Sequence, residues 1–183
     1  MSNHTPTPWT VIGSRTVVSD RWIHLRADDC RDDRGHEIAP YYVLEPADWI
    51  SVLAITTDGD AVIVEEYRHG AGVVALGTIG GAVEEGESAL AAARRELREE
   101  TGYAAGELID LGATWANFGN HSNRVHHFLA TGCVPTGERS LDDSEAIAVH
   151  LMPLEAAGPQ LEQSYHLLTW YLARDVLARR GRA

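Results

Sequence analysis

The strongest constraint on this chain is one helical stretch set between two groups of strand-forming segments. The helix is expected from about Ala89 to Thr101, with Ser88 as its N-cap and Gly102 where a helix C-terminus takes a left-handed residue. Upstream, residues 22–44 read as a hairpin: Trp22 to Cys30, a turn at Asp32-Asp33-Arg34-Gly35, then Ile38 to Leu44. A second hairpin joins Trp49–Thr56 to Ala61–Tyr67 through a turn around Asp58-Gly59, with Val and Ile on both flanks. A glycine-rich loop, Gly70 to Gly81, then leads to the helix. Downstream, short strands are expected at Leu108–Thr114, Val125–Thr131 and Ala146–Leu151. A closing helix over roughly 160–179 places Leu161, Tyr165, Leu168, Leu172 and Val176 on one face. Strands, a helix, more strands and a terminal helix predict an α/β fold with a mixed sheet covered on both faces.

Composition narrows the function. A length of 183 residues suits one domain with a substantial core. The longest apolar run, Ala89 to Ala93, is far too short to span a bilayer, and Met1 to Pro8 lacks the layout of a secretion signal. Two separated cysteines, Cys30 and Cys133, offer neither a CxxC zinc spacing nor a disulfide framework, so a cytoplasmic protein is expected. The formal net charge of −12 argues against non-specific binding to nucleic acid or to an anionic membrane. For a protein that binds phosphates, such a charge calls for cations between protein and ligand.

Residues 81–103 read GAVEEGESALAAARRELREETGY. Glu96, Glu99 and Glu100 stand at i, i+3 and i+4, so they project from one side of the helix, while Leu90, Ala93, Leu97 and Thr101 form a neighbouring stripe suited to packing on a sheet. Like charges this close destabilise a helix by roughly a few tenths of a kcal/mol per pair. A divalent cation would offset that repulsion, since magnesium takes hard oxygen ligands. Arg94, Arg95 and Arg98 could do so too, which would make this an ordinary solvated, salt-bridged helix.

The stretch resembles the Nudix box. Gly81, Glu87, Arg95, Glu96, Leu97, Glu99, Glu100 and Gly102 fall at the family's spacing, with Tyr103 where an aliphatic residue is usual. The resemblance implies a Nudix-like α/β/α sandwich over residues 45–183, preceded by N-terminal strands in residues 1–44 through which related enzymes pair as homodimers. It implies Mg²⁺, with Mn²⁺ as a substitute, held by Glu96, Glu100, Glu99 and the backbone carbonyl of Ala82. Arg95 would orient a glutamate, Glu87 would organise the loop, and Glu99 could also serve as base. The small residues Gly80, Gly81 and Ala82 suit a backbone that approaches an ion closely.

Outside the box the chain resembles the branch that splits ADP-ribose and ADP-sugars. Glu66-Tyr67-Arg68 resembles that branch's Gln-Tyr-Arg, which implies a phosphate contact for Arg68; a solvated surface arginine is the alternative. Asn117 to Ala130 resembles the substrate loop and following strand, with His121 and Arg124 as possible substrate contacts, but Phe118 stands where the ADP-ribose enzymes carry a proline. Leu141 to Glu145 resembles a loop that supplies a general base and a further metal ligand, by position Asp143 and Glu145. Trp49 could stack on a nucleobase or fill the core, and His126 and His127 read as facing core and solvent. The expected reaction is Mg-dependent hydrolysis of a nucleoside diphosphate sugar. The alternatives are a Nudix enzyme acting on nucleoside triphosphates or dinucleoside polyphosphates, or a non-catalytic nucleotide sensor.

Overall fold

The computed structural model describes residues 5–137, 139–141 and 146–181. They pack as two units: one runs to Pro46 and takes in Trp115–Asn123, and the other comprises Ala47–Thr114 and the chain from Arg124 onward.

The first unit is an antiparallel sheet of β1 (Thr10–Ser19), β2 (His24–Arg31) and β3 (Glu37–Leu44), in that order. Asp32 closes the β2–β3 turn by accepting the N–H groups of Arg34 and His36, at 3.0 and 2.8 Å, and Gly35 takes the positive φ of 86° that the reversal needs. The strand expected from Trp22 begins later. Asp20 Oδ1 accepts the N–H groups of Trp22 and Ile23, and that local bonding turns residues 20–23 out of the ladder. Residues 115–123 lie along β3, where Leu44 N–H donates to Asn120 O and Ser122 N–H to Leu44 O.

The second unit is built on β4 (Trp49–Thr56), β5 (Asp60–Arg68), β6 (Val73–Gly77), β7 (Ile79–Ala82), β8 (Tyr103–Ala104), β9 (Glu107–Trp115), β10 (Arg124–Pro135) and β11 (Ile147–Pro153), with helices α1 (Ala89–Thr101), α2 (Leu154–Ala157) and α3 (Ser164–Arg180). Its path is β11-β5-β4-β10-β8, with β6 on β5, β7 on β4 and β9 on β10. β4 and β10 run parallel, with Trp49 opposite Val125 and Val52 opposite Phe128, whereas β11, β5, β6, β7 and β8 pair antiparallel. The sheet is therefore mixed, as expected.

Alternation along the central strands sorts the core into two layers. Ile50, Val52 and Ala54 of β4 join Val62, Val64, Phe128 and Ala130 beneath Ala92, Ala93 and Leu97 of α1. Leu53, Ile55, Ala61, Ile63 and Leu129 face the other way, toward Trp170 and Ala173 of α3. Among the described residues no helix is long and apolar enough to cross a membrane.

Three expectations need correction. The stretch 70–81 is mostly strand: Val73 pairs with Arg68 and Ile79 with Val52, so backbone ladders claim residues whose glycines had suggested a loop. In α1 the inward face holds Ala92, Ala93, Leu97, Glu100 and Thr101, while Leu90, at its edge in the first turn, is 42% exposed. In α3 the fully buried residues are His166, Thr169, Trp170 and Ala173, and Tyr165, Leu168, Leu172 and Val176 are only partly covered. The sheet beneath α3 presents the hydroxyls of Ser51 and Thr78, so polar residues of the helix turn inward to meet them.

Candidate active site

The site begins with a close approach of backbone to side chain. β7 runs beside α1, and Ser88 caps the helix by accepting the Ala91 N–H at 3.2 Å. Gly102 ends it with φ 73°, donating to Arg98 O at 2.8 Å. Between these caps Glu96 and Glu100 face β7. A Cβ on Gly81 would lie 2.0 Å from Glu96 Oε1, so the carboxylate occupies the space a side chain would need. The Gly80 N–H points to Glu100 Oε2 at 3.4 Å, and Glu100 is only 4% exposed.

Arg95 organises the group. Its Nε and Nη2 donate to the two oxygens of Glu87 at 3.1 and 3.0 Å, its Nη1 to Glu96 and Glu99 at 2.8 and 3.2 Å, and its Nη2 also to the Ala82 carbonyl at 3.1 Å. The fork of a guanidinium suits this many acceptors, where a lysine would offer a point charge. The hydrogen bond from Arg95 holds the Glu87 carboxyl below the usual glutamate range, and the same bond raises the Arg95 pKa, so both stay ionised.

Three carboxylates and the Ala82 carbonyl thus converge on one guanidinium, and Arg139 Nε donates to the backbone carbonyl of Glu100 at 2.6 Å. Among the described residues no three acidic or histidine side chains surround one point as they would a bound metal. Arg95 stands between Glu96 and Glu99 instead. The donor set is nonetheless one a hard cation takes: carboxylate oxygens and the Ala82 carbonyl, all oxygen, on a strand with no side chain at Gly80 or Gly81.

The other sequence-predicted residues are distributed around this group. Trp49 opens β4 and stands opposite Ala82 in the ladder, half-buried. Arg68 ends β5, ion-paired with Glu66, on the rim of a cleft against the first turn of α3. Arg124 opens β10, where its N–H donates to Asp48 Oδ1 and its Nη2 to Ala113 O, both at 2.8 Å. Asp143 and Glu145 lie outside the described residues. His126 pairs with Asp48 at 2.9 Å, and His127 is fully buried. Sequence reasoning did not assign a site role to Asp48, which ties β10 to the start of β4, or to Tyr165, expected only as part of an apolar helix face, which feels the charges of Arg68, Glu66 and Glu100. No local pattern marks either one.

A mixed sheet between helices, with an arginine-centred acidic helix laid on a glycine strand, defines a Nudix-type domain. A family model described as the NUDIX domain matches residues 47–171, and the chain belongs to that family. A second model, the nucleoside diphosphate sugar hydrolase N-terminal domain, matches residues 9–44. An ADP-ribose pyrophosphatase of Bacillus subtilis (strain 168) is 31% identical over 147 residues, covering 80% of this chain and 79% of that protein. The ADP compounds hydrolase NudE of Escherichia coli (strain K12) is 24% identical over 180 residues, covering 94% and 95%. A crystal structure of an ADP compounds hydrolase superposes with a TM-score of 0.84 at 24% identity, covering 98% of this chain and all of that one, which establishes the fold.

Proposed function

We propose that this protein hydrolyses the diphosphate bond of a nucleoside diphosphate linked to a sugar, ADP-ribose or another such sugar, to nucleoside monophosphate and sugar phosphate. The observation that carries the reading is the placing of Glu96 and Glu100 along the bare backbone of Gly81 and Gly80, with Arg95 tying Glu99 and the Ala82 carbonyl to Glu96. The activities named for the similar proteins, and the match of residues 9–44 to a nucleoside diphosphate sugar hydrolase domain, support the substrate class.

Glu96, Glu100, Glu99 and Ala82 O would hold Mg²⁺ or Mn²⁺, with Glu145 a further ligand. A divalent cation there would supply charge neutralisation on the phosphoryl oxygens and a lower pKa for the attacking water. Arg95 keeps Glu87 ionised and fixes the direction of Glu87, Glu96 and Glu99. Glu99 and Asp143 are the candidate proton acceptors, Arg68 a phosphate contact, Arg124 a further substrate contact, and Trp49, beside Ala82, the candidate surface for the base.

The protein is read as a homodimer of the cytoplasm. Exposed Val11, Ile12, Val17 and Val18 on β1 support pairing through the first unit, and two free buried cysteines suit a reducing compartment. The test is a panel of ADP-ribose, ADP-sugars, GDP-sugars and nucleoside triphosphates with Mg²⁺, read by product analysis. Nucleoside monophosphate plus sugar phosphate is the expected result; pyrophosphate released from triphosphates alone, or no turnover, would replace this reading.

A further inference from the structure

A continuous polar chain runs through the interior on the α3 side of the sheet. Thr114 Oγ1 meets His127 Nε2 at 2.9 Å, His127 Nδ1 meets Thr169 Oγ1 at 2.8 Å, and Thr169 Oγ1 meets Ser51 Oγ at 2.7 Å. Ser51 Oγ meets Thr78 Oγ1 at 2.7 Å, and Thr78 Oγ1 meets His166 Nδ1 at 2.6 Å. Each hydroxyl has one proton to give. Thr169 gives its own to the Tyr165 carbonyl at 2.8 Å. Ser51 must then donate to Thr169, Thr78 to Ser51, and His166 Nδ1–H to Thr78. Proton bookkeeping along the chain thus leaves Nε2 of His166 as the nitrogen with the lone pair.

His166 borders a cleft. The cleft has a volume of about 460 Å³ and lies between the Arg68–Gly77 hairpin and the first turn of α3, with Arg68, Ala75, Gly77, Gln163, Tyr165 and His166 among its lining. His166 is 2% exposed, and the bare backbone of Gly77 packs against its ring: a Cβ there would lie 3.0–3.3 Å from Nε2, Cε1 and Cδ2. Gly80 stands between His166 and the acidic helix. Its Cβ position is 3.9 Å from the His166 ring, and its N–H points to Glu100.

We propose that this cleft receives the sugar half of the substrate, with His166 Nε2 accepting a hydrogen bond from a sugar hydroxyl and Arg68 meeting the adjoining phosphate. The inference rests on the nucleoside diphosphate sugar reading above. Burial pushes the His166 pKa down to about 3, so the ring stays neutral near pH 7 and selects a neutral donor rather than an anion. A hydroxyl is such a donor. A position next to Arg68 and one glycine away from Glu100 puts that hydroxyl on the phosphate side of the sugar rather than at the base.

The test compares ADP-ribose with the methyl ester of ADP, which keeps base and diphosphate but has no second sugar. His166→Asn retains a group able to bond Thr78 but stops short of the cleft, whereas His166→Gln places an acceptor oxygen near the Nε2 position. His166→Asn should raise KM for ADP-ribose by about tenfold relative to the methyl ester, the usual effect of one lost hydrogen bond, and His166→Gln should restore part of that preference. Equal changes on both substrates, or none, would overturn the assignment. Ala75→Leu, at another lining residue of the cleft, covers the case in which His166 variants do not fold: it should shift the same ratio in the same direction, and an unchanged ratio counts against a sugar there. Failure of the wild-type enzyme on every nucleotide sugar would remove the functional reading itself, whereas normal turnover with an unshifted ratio removes only this cleft.

Discussion

Glu96 Oε1 sits where a side chain on Gly81 would have to go: an added Cβ would come within 2.0 Å of it. Gly81→Ala should therefore push the Glu96 carboxylate away from the Ala82 carbonyl. We expect kcat to fall by about a hundredfold and the Mg²⁺ concentration for half-maximal rate to rise, because a misplaced ligand costs both. Circular dichroism should show the fold retained. Unchanged metal dependence in this variant would separate Glu96 from metal binding.

Glu100 is buried against the Gly80 N–H, and Gln has the same shape without the charge. Glu100→Gln should lower turnover by orders of magnitude while the thermal midpoint changes little. Near-normal kcat would take Glu100 out of the mechanism.

The Glu87–Arg95 pair carries a pH signature. The folded Glu87 pKa lies below the ordinary glutamate value of 4.5, chiefly through the Arg95 hydrogen bond, so its stabilisation is present above about that pH and is lost as pH falls through the lowered value. Glu87→Gln should lower the melting temperature by a few degrees at pH 7. The gap from wild type should close on acidification below pH 4.5. A gap that stays constant with pH would mean the pair contributes no linked stability.

Removal of divalent cations by EDTA should abolish hydrolysis, with recovery on adding Mg²⁺ or Mn²⁺. Activity that persists in EDTA would exclude the metal-assisted reading. Binding can be followed separately by Mn²⁺ paramagnetic resonance on wild type and Glu96→Gln, where the variant should bind more weakly.

Val11 lies on β1 and is 56% exposed. Val11→Glu places a charge on the proposed pairing surface and should shift the solution mass from dimer to monomer by light scattering. A mass unchanged from wild type would move the pairing surface elsewhere.

The amino-acid sequence by itself determined the elements whose signals are local. Helix α1 runs from Ala89 to Thr101 with the expected caps, because the Ser88 hydroxyl and the left-handed freedom of Gly102 act within a few residues of themselves. The two hairpins were legible for the same reason, through turns at Gly35 and Gly59, and the ordered carboxylates were legible through helical spacing. Tertiary structure alone decided which way those groups face. Strands β6 and β7 became strands by pairing with β5 and β4, a bond made across the chain that outweighs the looseness of their glycines. The inward face of α3 followed the hydroxyls of Ser51 and Thr78, which come from distant segments, and so His166 and Thr169 are among its fully buried positions while Leu168, Leu172 and Val176 are only partly covered. Periodicity and capping are properties of neighbours along the chain, whereas a buried polar group must find its partner wherever the fold brings one.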